Sequence, residues 1–196
     1  MKDKALLLKN FIRLAGRNSY GTEFKQALDM LSRGQSVFVV GTPGIGKTPF
    51  LCDLIDVIER TEGYLGVYFD GETMLALSAM QTYRLLAIGI QEALAASGSE
   101  PPMATYQALE GIVRHCAGQG LRVIVCLDHF DSLVANTNLG AEFFSALRSL
   151  VMRFGVAFVT VSEKPLYMQV GHIGSLPFLT LFVHLRLGFL EAVALF

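Results

Sequence analysis

Five apolar stretches of strand length recur along the chain, separated by polar or glycine-rich segments. They read QSVFVV (residues 35–40), YLGVYFD (64–70), LRVIVCLD (121–128), VAFVTVS (156–162) and LTLFVHLRL (179–187). None alternates strictly between apolar and polar residues, which is the pattern of strands that are buried on both faces. The pattern therefore predicts a parallel sheet with other elements packed on each side.

Apolar residues at helical spacing fill the intervals between these strands. In residues 22–33 they recur every three or four positions, and Gly34 ends the segment. Similar spacing predicts helices through residues 51–58, after the glycine-rich segment that follows the first strand, over residues 72–97, around residues 109–116 and over residues 143–154. Because strands alternate with helices, we predict an α/β fold, built as a single domain over residues 1–196.

Composition and charge narrow the class of protein. Hydrophobic residues make up 52% of the 196 residues and charged residues 17%, with a formal net charge of -1. The chain is therefore expected to fold, and its charge indicates neither a nucleic acid nor an anionic membrane as partner. Residues 175–196 are strongly apolar but include charged positions, so we interpret them as a strand and the start of a helix rather than a membrane span.

Three cysteines bear on the compartment. Cys52, Cys116 and Cys126 lie in apolar segments and form no CxxC pair. This usage predicts reduced thiols in the core of a cytoplasmic protein.

The segment GTPGIGKT, residues 41–48, fits the pattern G-x-x-x-x-G-K-[ST] between a predicted strand and a predicted helix. Its glycines let backbone N–H groups turn toward a phosphate, and the following helix adds its N-terminal dipole. We predict that the loop binds ATP, with Lys47 at the β- and γ-phosphates and the Thr48 hydroxyl on Mg²⁺. The alternative is a chance glycine-rich turn. The predicted phosphate-binding residues are Gly41, Thr42, Pro43, Gly44, Ile45, Gly46, Lys47 and Thr48.

Pro49 follows this motif directly. Proline is sterically acceptable in the first turn of a helix, where amides have no intrahelical partner. It removes one N–H group that would otherwise face the phosphates, so we predict weakened nucleotide binding rather than its loss.

Acidic and polar residues after the later strands are candidates for metal binding and catalysis. Asp128 ends an apolar strand and is predicted to hold Mg²⁺ beside Thr48; the alternative is a turn-capping role. His129 follows Asp128, at the position where many ATPases with this type of loop have a glutamate that polarises water. A catalytic role and a plain loop position both remain open for His129. Asp131 is either a substitute carboxylate or a turn cap, and capping is favoured. Ser162 ends the next strand as a candidate sensor of hydrolysis, or as a simple strand-end serine.

These segments together resemble the ATPase core of AAA-like, STAND-type P-loop proteins. The resemblance is carried by LAGRNSYGTEFKQAL, GQSVFVVGTPGIGKT, VIVCLDHFDSL, FVTVSEKPL and FVHLRLGFL, and it covers most of the chain. It implies a three-layer α/β/α sandwich, a mainly parallel sheet of five strands in the order 5-1-4-3-2, and Arg17 near the adenine base. It also implies an ATP-dependent switch that is often coupled to self-assembly.

The chain departs from that family pattern at several points. His129 replaces the usual glutamate, and the stretch between the fourth and fifth predicted strands contains no arginine that could serve as a finger. The sequence stops at Phe196, where the helical lid of such proteins is expected to begin. We therefore expect no lid or effector domain within these residues.

Three functions are compatible with these features. The first is an ATP-binding switch with slow hydrolysis at best, whose partners are ATP, ADP and further copies or a signalling assembly. The second is a DNA-associated ATPase or loader, which the near-neutral charge disfavours. The third is a small-molecule kinase, which the LDHFD segment disfavours.

Overall fold

The computed structural model of the chain describes residues 21–94, 102–165, 168 and 177–188. The strands are β1 (Ser36–Val40), β2 (Tyr64–Asp70), β3 (Arg122–Asp128), β4 (Ala157–Ser162) and β5 (Phe182–Arg186). The α-helices are α1 (Gly21–Ser32), α2 (Lys47–Glu59), α3 (Ala79–Ala93), α4 (Tyr106–Gly118), α5 (Phe130–Ala135) and α6 (Ala141–Phe154). Within these described ranges, Gly71–Met74 and Leu179–Leu181 form 3₁₀ turns.

The five strands form one sheet in the order β2-β3-β4-β1-β5, and every neighbouring pair is parallel. This confirms the predicted order 5-1-4-3-2. Because all strands run the same way, their carboxyl ends lie along one edge of the sheet. Strand β4 separates β1 from β3, so the end of β4 lies between the phosphate loop and Asp128.

Buried apolar residues cover both faces of the sheet, as the strand pattern predicts. On one face, Val37 and Val39 of β1 pack with residues from α1 and α2. On the other face, Phe38 packs with residues from α3, α4, α5 and α6. Each large apolar side chain that is fully buried contributes about 1.5–3 kcal/mol, so both helical layers anchor the strands that carry the site.

The predicted helix over residues 72–97 is wrong in its first part. Gly71–Met74 forms a 3₁₀ turn, and α3 begins only at Ala79. Ser78 and Gln81 form a capping box, in which each side chain bonds the other residue's backbone, so the helix has a defined start there.

Two further elements differ from the sequence prediction. Helix α5, Phe130–Ala135, was not predicted because its six residues are too few for an apolar period. In the fifth predicted strand, Leu179–Leu181 form the 3₁₀ turn and pairing begins at Phe182.

The cysteine prediction holds in part. Cys116 and Cys126 are buried free thiols, and burial raises the pKa of both. Cys52 is exposed on α2, because its neighbour Leu51 takes the position that faces the core. Arg17 and the helix predicted at the end of the sequence lie outside the described residues.

Candidate functional site: the carboxyl edge of the sheet

The loop between β1 and α2 has a backbone that requires its glycines. Gly44 and Gly46 adopt left-handed backbone conformations, with φ angles of 76° and 95°. Residues that have a Cβ rarely adopt this conformation. Gly41 is required for a different reason, because a Cβ there would lie 2.7 Å from Cγ2 of Ile45. The loop therefore turns tightly and leads directly into the N-terminus of α2.

Lys47 places its ammonium group against this loop. Its Nζ donates hydrogen bonds to the carbonyl oxygens of Gly41 (3.0 Å) and Thr42 (3.1 Å), and lies 3.9 Å from Oε1 of Glu163. The Lys47 side chain is only 12% exposed, whereas that of Glu163 is 54% exposed. A cation is thus held at the loop, and an acidic residue that the sequence reasoning missed lies next to it.

The first turn of α2 contains Pro49. The first intrahelical hydrogen bond runs from the Phe50 amide to the Gly46 carbonyl, at 2.9 Å. Position 49 precedes that bond, so the helix loses no hydrogen bond to the proline. The backbone is consistent with the predicted steric tolerance, and Pro49 is exposed.

Asp128 is buried at the end of β3, with 1% of the residue exposed. Its Oδ2 accepts a hydrogen bond from the Tyr68 hydroxyl at 3.2 Å, and its Oδ1 accepts one from the His129 amide at 2.9 Å. Burial, followed by the neighbouring Asp128 charge, raises the pKa of Tyr68. The tyrosine therefore stays protonated and donates to the carboxylate at neutral pH.

These oxygens fit a magnesium ion by their chemistry. Mg²⁺ prefers oxygen ligands and is usually held by one or two carboxylates together with phosphates and water. The Asp128 carboxylate and the Thr48 hydroxyl are oxygen donors of this kind. Both belong to the carboxyl edge, Asp128 ending β3 and Thr48 following the β1 loop.

His129 has a strained backbone, with φ 43° and ψ 48°, in the left-handed region that non-glycine residues seldom occupy. Its Nδ1 lies 2.9 Å from Oδ1 of Asp70. Because an ionised carboxylate only accepts hydrogen bonds, the Nδ1–H group is the donor in this contact. Asp70 ends β2 in register with Asp128, so neighbouring strand ends bring the imidazole and two carboxylates together.

The His129–Asp70 pair shifts the pKa of each partner. Burial lowers the pKa of His129, but the hydrogen bond to Asp70 and nearby acidic charges outweigh it, so the net pKa is raised. For Asp70, burial raises the pKa, and the Glu72 amide together with His129 lowers it further than that, so the net pKa falls. Both shifts favour the charged pair.

Asp131 and Ser162, two predicted catalytic residues, lie in contact with each other. Ser162 Oγ is 2.7 Å from Oδ1 of Asp131 and 2.8 Å from the Lys164 carbonyl oxygen, and its single hydrogen can be donated to one of them at a time. The other Asp131 oxygen accepts a hydrogen bond from the Glu163 amide at 2.9 Å. Asp131 thereby ties α5 to the end of β4, while the N-cap position of α5 belongs to His129.

A cavity of about 550 Å³ opens beside the phosphate loop. One wall comes from the loop and the end of β1, and another comes from Glu163, Pro165 and the end of β5. Arg186, which pairs in register with Val40, supplies a cation to that wall. The volume lies within the range of small-molecule sites, about 300–1,000 Å³.

The fold resembles several solved structures. The Orc1 protein of Aeropyrum pernix, solved in complex with DNA, matches with a TM-score of 0.62 and 16% identity over 85% of this chain and 44% of that one. The Orc2 protein of the same organism, in its ADP form, matches with a TM-score of 0.57 and 16% identity, covering 87% and 48%. The Walker-type ATPase PABY2304 of Pyrococcus abyssi matches with a TM-score of 0.62 and 13% identity, over 85% of this chain and 52% of that one.

The chain shares the fold of these proteins. It spans about half the length of each of them. No protein-family model matches the sequence, and no curated protein is significantly similar to it. None of the described helices has the length and apolar character needed to cross a lipid bilayer.

Proposed function

We propose that this chain is an ATP-binding switch domain, similar to AAA-like and STAND-type ATPases, with slow hydrolysis at best. The observation that carries the proposal is the loop itself: two left-handed glycines and the close approach at Gly41 lead into α2, and the Lys47 ammonium lies against them. Such loops bind phosphate through backbone N–H groups and the helix dipole.

The adjacent cavity supports a nucleotide rather than a bare phosphate. It borders Gly41 and Thr42 and offers space of small-molecule size next to the phosphate position. Apolar walls from Val40, Ile45 and Leu187 suit the base and sugar. Mg²⁺ would be held by Thr48 and Asp128, and would neutralise phosphate charge next to the buried carboxylate.

The arrangement around His129 supports slow turnover. A carboxylate base carries full negative charge beside an attacking water, whereas an imidazole that pairs with Asp70 has its pKa raised and is more often protonated. A protonated imidazole has no lone pair to accept a proton from water. Ser162 and Asp131 are candidates to transmit the state of the terminal phosphate from β4 to α5, since they are in hydrogen-bond contact.

A second candidate is a DNA-associated ATPase or loader. It is favoured by the fold likeness to the Orc1 protein, which was solved with DNA. The formal net charge of -1 counts against a broad DNA-binding surface on this chain alone. We therefore place the switch first.

Calorimetric titration with ATP and Mg²⁺, followed by phosphate-release measurements with and without duplex DNA, tests both candidates. The switch predicts Mg²⁺-dependent binding, little phosphate release and no stimulation by DNA. The substitution Lys47→Ala should abolish binding. The matched control is Lys25→Ala, at an exposed position of α1, and this variant should bind ATP as the unchanged chain does. DNA-stimulated release would favour the second candidate, and binding that survives Lys47→Ala would contradict the phosphate site.

A further inference from the structure

Glu163 lies beside the phosphate loop without a role in the proposed function. We infer that Glu163 is a specificity-determining residue that competes with the terminal phosphate of a nucleotide for Lys47. It would lower the affinity for the triphosphate more than the affinity for the diphosphate. This inference rests on the proposed function, because it requires that Lys47 meets a phosphate.

The position of Glu163 is fixed at its backbone. Its amide donates to Oδ2 of Asp131 at 2.9 Å, and Asp131 also contacts the buried Ser162 hydroxyl. The end of β4 is therefore fastened to α5, and the Glu163 side chain starts from a defined point. From there its Oε1 reaches to 3.9 Å from Lys47 Nζ.

The Lys47–Glu163 pair contributes little to folding stability, but it lies at the loop where a phosphate would approach Lys47. The contact at 3.9 Å exceeds a hydrogen bond, and the glutamate side chain is 54% exposed, so water and salt screen the pair. Two of the three ammonium hydrogens already go to the carbonyls of Gly41 and Thr42. The remaining direction is shared between the Glu163 carboxylate and any phosphate that approaches.

Like charge adds to this competition. A carboxylate a few ångströms from an incoming phosphate repels it, and in a partly exposed site this amounts to about three- to tenfold in affinity. ATP carries one more negative charge than ADP, so the repulsion falls mainly on ATP. Arg186, the other charged residue on the cavity wall, is a cation and acts in the opposite direction.

The test is calorimetric titration of the full chain with ATP, ADP and adenosine, each with Mg²⁺. Glu163→Gln removes the charge and keeps the shape, and it should bind ATP about three- to tenfold more tightly. The gain should be smaller for ADP, absent for adenosine, and reduced in high salt. The matched control is Glu92→Gln, which should leave every affinity unchanged. Glu92 is an exposed residue of α3, and this helix contacts β2, the strand at the far end of the sheet from β5.

The outcomes separate the inference from the proposed function. If the unchanged chain binds ATP and Glu163→Gln binds it equally or less tightly, the inference is overturned and the phosphate site stands. A lower rate of phosphate release with unchanged affinity would likewise overturn it, since the carboxylate would then act on water. If neither chain binds ATP or inorganic tripolyphosphate, the proposed function fails and the inference with it. Binding by Glu163→Gln alone would support the inference in its strongest form.

Discussion

The substitution Pro49→Ser restores one main-chain N–H group in the turn that follows the phosphate loop. In the structure, the Phe50 amide bonds the Gly46 carbonyl at 2.9 Å, so an amide at position 49 is not used by the helix. It would point along the helix axis with the other first-turn amides, toward the position proposed for the phosphates. We therefore expect tighter binding of ATP.

The magnitude follows from the type of bond that is gained. A hydrogen bond to a charged group contributes about 1.5–3 kcal/mol. Pro49 is exposed, so the lower value applies, and about 1.4 kcal/mol corresponds to tenfold in the dissociation constant. The same substitution raises the conformational entropy of the unfolded chain, which lowers the stability of the nucleotide-free protein by about 0.4–1 kcal/mol. At this chain length, each kcal/mol corresponds to about 2–4 °C in Tm.

Affinity and stability thus move in opposite directions, which distinguishes the proposed effect from a general improvement in folding. Calorimetry gives the dissociation constant, and thermal melts in the presence of a chelator give the stability. Pro49→Ala should match Pro49→Ser, because both add the N–H group. Pro102→Ala, in the loop before α4, is the control and should leave binding unchanged. If Pro49→Ser binds ATP no more tightly, the account of the missing donor is refuted.

Three further predictions concern the ends of β2 and β3. His129→Glu should raise phosphate release about tenfold or more without tightening ATP binding, since general-base catalysis supplies about 10²–10⁴-fold; an unchanged rate in a phosphate-release assay would show that this group is not limiting. Gly71→Ala should destabilise the chain by about 1–3 kcal/mol in denaturant titrations, because its Cβ would collide with the His129 carbonyl oxygen; native-like stability would contradict the packing. Asp70→Asn should lower the pKa of His129, as followed by NMR. Since the His129 pKa is raised, its contribution to stability is present below the ordinary pKa of about 6.5 and is lost as pH rises through the folded pKa, whereas that of Asp70 is lost as pH falls through its own lowered pKa. The stability of the unchanged chain relative to Asp70→Asn should therefore be greatest at intermediate pH, and a flat difference would contradict the pair.

The sheet could be predicted from the sequence because local signals specify it. Runs such as VIVCLD have the length and apolar character of strands buried on both faces, and the glycine loop marks the strand that begins the site. The order of the strands came from the family resemblance, and the structure confirms it. The position of α3 could not be derived from apolar spacing, because a hydrogen-bonded cap between Ser78 and Gln81 decides where it starts.

The contacts around the site were less accessible to sequence reasoning. Asp70 and His129 lie 59 positions apart, and they meet only because β2 and β3 pair in a particular register. Asp131 and Ser162 are 31 positions apart and meet through the short helix α5, which has no apolar period of its own. The acidic residue after the strand YLGVYF was a usable signal, since parallel strands bring their carboxyl ends to one edge. Glu163 offered a similar signal, following Ser162 directly.

The charges along this edge bear on how a nucleotide would be received. Asp70, Asp128, Asp131 and Glu163 are carboxylates near the strand ends, whereas Lys47, Arg186 and protonated His129 are cations there. The carboxylates would repel a free triphosphate, and a divalent cation would offset the phosphate and Asp128 charges together. Pro49 removes a further donor from the same region. A site with this balance favours a metal–nucleotide complex of modest affinity, which can exchange as nucleotide levels change, and modest affinity with slow hydrolysis suits a switch better than a motor that must turn over continuously.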